Sequence, residues 1–491
     1  MRDPAVLGIR RPNLPFGWSW LAVVLGGGGF LALAILVAPE IAAALALGAL
    51  LLAHAWAHPR AYARHWVLFL AFVLLGYATL GRGFAYVGAP PLYVGEAALA
   101  TGLVAVLAVG GLGRVFRSPV SWLLVVFMAW GAFCTLPYLG THGMAALRDA
   151  VLWGYGVFAL IVAAVLLRTG WWRRIVPAYA SWLPFLVLWV PLGLLLTEWA
   201  TDRFGGGALV PQLKPGDAAV HLTGIGAFLL LGLYSARDRG RGWLEWAWTG
   251  VWLIGFLFAA TQNRGGMVSA AIGLGLVLLF RPTHRWLKIA LPALVLGAVL
   301  VAADVEVEMG GRREISARQL AQNALSVVGV EPEGESLQST VDWRLQWWSD
   351  IVDYTVFGSH FWTGKGYGVN LADSDGYQVD QRDSSLRSPH NGHLSVLARS
   401  GVPGFALWIL LHGAFAVVMV RSHLRESRDG REAWARFDLW ILAFWAAFMV
   451  NATFDVFLEG PMGGIWFWSI MGAAIATLEA RNGESGEEMA S

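Results

Sequence analysis

The sequence predicts an all-α polytopic membrane protein, a bundle of about 12–14 transmembrane helices with one large outer loop that holds short helices of its own. Three observations predict it. Of 491 residues, 57% are hydrophobic and only 14% charged, with mean hydropathy +0.57, whereas soluble chains run at roughly 45–50% apolar and about 25% charged. Apolar runs long enough to cross a bilayer recur along the chain, and Lys and Arg gather on alternate connections between them. This composition excludes a soluble enzyme, a disordered protein and a DNA-binding module. The net charge of +2 implies no field for a polyanion. The single cysteine, Cys134, lies in an apolar run, which excludes an internal disulfide framework and a thiolate metal cage.

In chain order, spans are expected at 18–38, 40–57, 65–80, 92–109, 120–139, 147–167, 175–197, 219–235, 243–261, 266–280 and 286–303, then at 402–421, 434–452 and 461–478. Residues 1–303 thus carry helices 1–11, 304–401 form the large loop, 402–478 carry the last three helices, and 479–491 form a disordered acidic tail. The first run is too glycine-rich, and too closely followed by a second, for a cleaved signal peptide.

Orientation follows from the cations. With Arg2, Arg10 and Arg11 in the cytoplasm, alternation puts Arg60 and Arg64, Arg114 and Arg117, Arg173 and Arg174, Arg237 to Arg241, Arg281 and Arg285, Arg425 to Arg436, and Arg481 on the same side. Both termini are then cytoplasmic and 304–401 lies outside. Between 304 and 392 that loop carries fourteen Asp or Glu against seven Lys or Arg, as a segment free of the positive-inside constraint can. Within it Val341, Leu345, Trp348 and Val352 share a helical stripe. They predict either an amphipathic helix on the outer leaflet or a helix packed on a small domain of its own. Many of the 27 tryptophans, including Trp18, Trp20, Trp243, Trp286 and Trp434, stand near span ends, where anchoring at the membrane interface accounts for them.

The spans hold few charges: Glu96, Glu245 and Asp438 lie near span ends and only His412 is central. An ion-coupled transporter would carry more. Cations on the outer side, where topology requires none, are the informative set. Arg148 opens the sixth span beside Asp149, and Arg264 sits in the tight turn Thr261-Gln262-Asn263-Arg264-Gly265-Gly266. Paired guanidinium groups at that surface suit a diphosphate; an Arg148–Asp149 pair and an Arg264 reaching for lipid headgroups are the structural alternatives.

The stretch from Ser388 through Pro389, His390, Asn391, Gly392 and His393 predicts a helix start, with Ser388 as N-cap and Pro389 in the first helical position. His390 would stand in the first turn, where the helix dipole favours a neutral imidazole able to act as a base. Gly401, Pro403 and Gly404 should break this short helix and keep Arg399 near the outer interface. His390 and His393 lack a third partner at metal-binding spacing. Gly364-Lys365-Gly366-Tyr367-Gly368 lacks the spacing of a phosphate loop and reads as a flexible turn.

In Asn263-Arg264-Gly265, in Trp343-Arg344 through Gly364-Lys365-Gly366-Tyr367-Gly368, in Pro389-His390-Asn391 followed by Gly401 and Gly404, and in Arg148-Asp149, the sequence resembles the bacterial O-antigen ligase and O-antigen polymerase family. The layout of many spans with one large outer loop before the last few is similar too. The resemblance implies a glycosyltransferase of the GT-C class in the bacterial inner membrane, with its loop and active site in the periplasm. It implies transfer of a glycan from a polyprenyl-diphosphate carrier (undecaprenyl diphosphate) to an acceptor hydroxyl, as in lipopolysaccharide and polysaccharide biosynthesis. No cofactor and no metal are expected. The donor, a lipid-A core or glycan acceptor and membrane lipids are the expected partners, and nucleic acid is not.

On that resemblance His390 is the catalytic base, and Arg264, Arg148 and Arg399 bind the diphosphate. Asn391, His393, Arg344, Lys365, Tyr367 and Arg387 are further candidates for substrate contact. The sequence leaves ligase and polymerase open. A flippase for lipid-linked oligosaccharides, which needs a polar cavity between its helices, is the alternative of another class; a non-catalytic scaffold is a third.

Overall fold

The computed structural model describes residues 39–90, 92–234, 242–281, 295, 299, 306–307, 315–316, 335–378 and 386–490. The expected spans at 18–38 and, but for two isolated residues, 286–303 lie outside them, as do Trp18, Trp20 and Trp286. The chain divides into two compact units, 1–62 and 63–491. In the first, helix α1 (Pro39–Ala57) carries His54, whose ring lies 5.9 Å from that of Tyr62.

The second unit is a helical bundle. Helix α2 (Pro59–Leu80) leads into it, followed by α3 (Val94–Val109), α4 (Pro119–Thr135), α5 (Met144–Gly154), α6 (Val157–Thr169), α7 (Ile175–Phe204), α8 (Pro215–Leu230), α9 (Gly242–Gln262) and α10 (Arg264–Phe280). Then come α11 (Glu335–Val352), α12 (Gly392–Arg428), α13 (Glu432–Ala452) and α14 (Pro461–Ala490). Among the described residues seven helices are long and apolar enough to cross a membrane, and α5 with α6, bent by 48° at their junction, make an eighth if they form one span. The expected spans on described residues fall on single helices except 147–167, which is divided between α5 and α6; the smaller number arises because segments such as α3 and α10 are shorter than 18 residues.

Helix α8 is the centre, buried at every residue from Gly216 to Leu230. Small residues let its neighbours come close: a methyl group at Gly224 would meet the Phe444 ring at 2.7 Å, and one at Gly226 the Trp252 ring at 2.5 Å. Tryptophan serves a second purpose beyond anchoring. Trp252 Nε1 donates to Leu222 O (2.6 Å), Trp440 Nε1 to Gly224 O (3.0 Å), Trp466 Nε1 to Leu74 O (2.7 Å) and Trp66 Nε1 to Ala98 O (2.9 Å), all between helices. An indole N–H inside an apolar bundle has no water to bond, so it takes a carbonyl of the next helix.

Helix α11 buries Trp347 and Ile351, with Trp343 and Val352 partly covered, against Leu371, Ala372, Leu397 and Ala398. Leu345, expected on the apolar stripe, is 53% exposed. The buried face is rotated from the one the pattern suggested because Leu371, Ala372, Leu397 and Ala398 supply a protein surface for it. Helix α12 breaks at Gly401 (φ 66°, ψ −173°), as expected, into a short segment at 392–400 and a long one after it.

Candidate functional site

Three helix N-termini meet at one end of the bundle. Asn263 caps α10, its Oδ1 accepting from Gly266 N at 2.6 Å. Asn391 caps α12, accepting from His393 N (3.0 Å) and Leu394 N (3.1 Å). Lys214 is the extended residue before α8, with Pro215 in the first helical position. A methyl group at Gly216 would lie 3.1 Å from Asn451 Oδ1 and 3.3 Å from Asn263 Nδ2; one at Gly265, 3.0 Å from Phe454 Cβ; one at Gly392, 3.5 Å from Ala452 O. All three helices therefore abut the end of α13 and the turn after it, 451–455. Aligned peptide dipoles make such a convergence a favourable place for an anion.

His390 is at this junction but outside the helix. The cap is Asn391, not Ser388 as expected, because the amide oxygen of Asn391 satisfies two first-turn N–H groups. His390 takes a left-handed backbone (φ 52°) to turn the chain into it. Its ring is partly buried, and Nδ1 is buried with no hydrogen-bond partner. Burial, then the Arg344 guanidinium and the Lys214 ammonium, hold the imidazole below the usual histidine range, while Asp455 pulls the other way. The neutral form expected from the sequence is favoured, though burial rather than a first-turn dipole dominates.

Around it stand charges from separate elements. Lys214 Nζ bonds both carboxylate oxygens of Asp455, at 3.0 and 3.3 Å. Burial opposes that ammonium, but Asp455 and Asp217 outweigh it and hold Lys214 above its usual range. Arg344, on α11, is half-buried, with Nε lacking a hydrogen-bond partner and its charge felt by both His390 and Asp455. Arg264, the first residue of α10, is half-buried. Trp348 Nε1 donates to Pro389 O at 2.9 Å and fixes the residue before His390. Lys214 and Asn451 escaped the sequence reading. Lys214 could have been found by the criterion that singled out Arg148 and Arg264, a cation on an outer connection.

The other candidates lie elsewhere. Both ring nitrogens of His393 are in use: Nδ1 accepts from Trp408 Nε1 (3.0 Å), so Nε2 carries the proton and donates to Met449 O (2.9 Å). Lys365 pairs with Asp375 and lies over the Tyr354 ring at 4.3 Å. Tyr367 is fully buried, with its hydroxyl 2.7 Å from Ser400 Oγ. Arg399, 1% exposed, reaches Asp149 Oδ2 at 2.9 Å, and Arg387 reaches the same oxygen at 3.1 Å. Arg148 is exposed, and Asp149 serves these two arginines in place of it. Burial and the Asp149 carboxylate raise the buried Glu459 carboxyl to about 7 against the pull of Arg399 and the Ser395 and Ser388 hydroxyls. The glycine-rich turn is pinned rather than flexible: Gly364, Gly366 and Gly368 all have positive φ, and methyl groups there would strike Ala398 O, the Tyr138 ring and His142 Cβ. Among the described residues no group of three or more His, Cys, Asp or Glu is placed to hold a metal ion.

Among curated proteins none matches the chain. Residues 249–409, about a third of the chain, match the family model described as O-antigen ligase. The match takes in Arg264, Arg344 and His390 and leaves out Asp149, Lys214 and Asp455. The protein is thus an all-α polytopic membrane protein with a region similar to O-antigen ligases, the family its Asn263-Arg264-Gly265 and Pro389-His390-Asn391 stretches resemble.

Proposed function

We propose that the protein is a membrane glycosyltransferase of ligase type, moving a glycan from a polyprenyl-diphosphate carrier to an acceptor hydroxyl on the periplasmic face of the inner membrane. The observation that carries this reading is the meeting of a neutral, half-buried imidazole with three helix N-termini and the cations of Lys214, Arg264 and Arg344. The acceptor oxygen attacks the anomeric carbon and forms the new C–O bond. His390 takes the acceptor's proton, and the bond from that carbon to phosphate oxygen breaks, its electron pair leaving with the polyprenyl diphosphate. Negative charge grows on the leaving group as this bond lengthens, so fixed cations and peptide dipoles stabilise the transition state more than the bound donor. Arg148, exposed on α5, is a further proposed phosphate contact, and Arg399 supports the site through its ion pair with Asp149.

The orientation is supported by α13. Its C-terminal end abuts the proposed site, and its N-terminal end lies among Arg281, Arg431, Arg436 and Arg481, the cationic end that the positive-inside rule assigns to the cytoplasm.

The test is transfer by the purified protein from a defined polyprenyl-diphosphate oligosaccharide, with a lipid-A core and a second carrier-linked glycan as rival acceptors. Single-block transfer to the lipid core is expected. Growing chains on the carrier would assign polymerase chemistry, and no transfer to either acceptor would overturn the reading.

A further inference from the structure

The described parts of the strap between α11 and α12, 364–378 and 386–391, are seated in a slot. One wall is the chain at Tyr138, His142 and Ala146; the other is the short helix at Ala398 to Gly401. Lys365 N donates to Ala398 O (2.7 Å), and Leu371 N to Arg387 O (3.2 Å), joining the two limbs of the strap. In the slot one atom gathers three groups: Asp149 Oδ2 accepts from Gly368 N (3.0 Å) and Arg387 Nη2 (3.1 Å) and forms an ion pair with Arg399 Nη1 (2.9 Å), which itself donates to Val369 O (3.0 Å). The Asp149 side chain is only 8% exposed. Arg387 also reaches Gly368 O (3.2 Å), closing a ring of bonds three residues before His390.

We propose that Asp149 is a positioning residue: by holding Arg387, Arg399 and the backbone of Gly368 it clamps the strap to α5 and fixes where His390 stands. The proposal rests on the glycosyl-transfer reading only for its kinetic consequence. It moves Arg387 and Arg399 from substrate contact to support, since each guanidinium ties the one carboxylate to a carbonyl of the strap, Gly368 O for Arg387 and Val369 O for Arg399. A fully buried cation is retained where a buried anion partners it, and removing one member leaves the other uncompensated. Misplacing a reacting group by about 1 Å can cost about 100-fold in rate, so the clamp acts on turnover rather than on donor affinity.

The experiment compares D149N, R387M and the double variant, each as full-length protein in detergent, by two measurements. Limited proteolysis should show faster cleavage between 364 and 391 in each variant, with α12 to α14 protected as in the wild type. Transfer kinetics should show kcat reduced about 10- to 100-fold with KM for the carrier-linked donor little changed. The double variant should be no slower than the slower single one, because both cut the same link. R387K, which keeps a cation, should recover part of the rate. A raised donor KM in R387M but not in D149N would return Arg387 to the substrate and overturn the clamp, as would wild-type cleavage and kcat in D149N. If the wild type transfers nothing, the functional reading fails, and the cleavage pattern still decides whether Asp149 holds the strap.

Discussion

The two ends of α13 treat charge in opposite ways. At the N-terminal end Asp438, fully buried, accepts from both terminal nitrogens of Arg481 (2.7 and 3.1 Å) and from Ser422 Oγ (2.7 Å). Beside it the buried Glu426 takes Arg431 (2.7 Å) and Arg481 (3.5 Å). At the C-terminal end Asn451 Nδ2, Asp217 Oδ1, His390 Nδ1 and Arg344 Nε are buried without hydrogen-bond partners, whereas Glu426 Oε2 and Arg281 Nε, which also lack hydrogen bonds at the N-terminal end, belong to side chains held in ion pairs with Arg431 and Glu432. Leaving such a group unmet costs about 1–3 kcal/mol. A fold tolerates several in one place when something that comes and goes completes them. The first end holds helices together, and the second has the unmet polar atoms that the proposed donor site requires.

The largest effects should separate these ends cleanly. H390A and R264A are each expected to lower transfer by about 100-fold or more while thermal unfolding of the purified protein stays within a few degrees of wild type. R481M should do the converse. It strands the buried Asp438, costs about 3–5 kcal/mol of stability, and leaves the rate per folded molecule near wild type. Strong destabilisation by H390A with the rate intact would erase the distinction.

A smaller effect concerns the acid side of the pH profile. With the His390 imidazole held below its usual range, kcat/KM should fall only as pH drops below about 6.5. In K214M a charge that disfavours imidazolium is gone, and Asp455 is released to favour it. Both changes raise the histidine's pKa, so the acid limb should move to higher pH. An unmoved limb would detach Lys214 from the site.

The smallest effect is one of stability alone. Glu459 has its folded value raised to about 7, above an unfolded value of about 4.3. The folded state binds that proton more tightly, so the contribution is full below the unfolded value and is lost as pH rises through about 7. E459Q does not titrate. Its unfolding temperature relative to wild type should therefore be higher at pH 8 than at pH 5, and equal differences at both would overturn the assignment.

Much of this was legible in the sequence because it is local. Apolar runs placed the spans, and the break at Gly401 followed from the glycine and proline around it. Arg264 and His390 stood out as polar residues where neither topology nor core packing required them. What escaped depends on partners far along the chain. Lys214 and Asp455 are 241 positions apart, and nothing in either neighbourhood announces the other. Arg399 and Arg387 stood out as diphosphate and substrate candidates, and their shared partner, Asp149, lies more than two hundred residues earlier, out of view of either neighbourhood. The glycine-rich turn looked flexible because glycine marks both loose chain and chain with no room for a methyl group; only the Tyr138 ring and Ala398 carbonyl decide which. The cap moved from Ser388 to Asn391 because two residue types compete for one task and the backbone at His390 bends to let the second succeed.

That bend has an evolutionary consequence. A β-carbon in the left-handed region costs about 1–2 kcal/mol relative to an ordinary backbone, and glycine would escape the penalty. Drift toward a sturdier protein therefore pushes this position toward the one residue with no side chain, and under the proposed function selection for chemistry is what holds the imidazole there. Homologues that have given up transfer, or variants chosen in the laboratory for robustness alone, should lose this ring early and keep the asparagine that follows it.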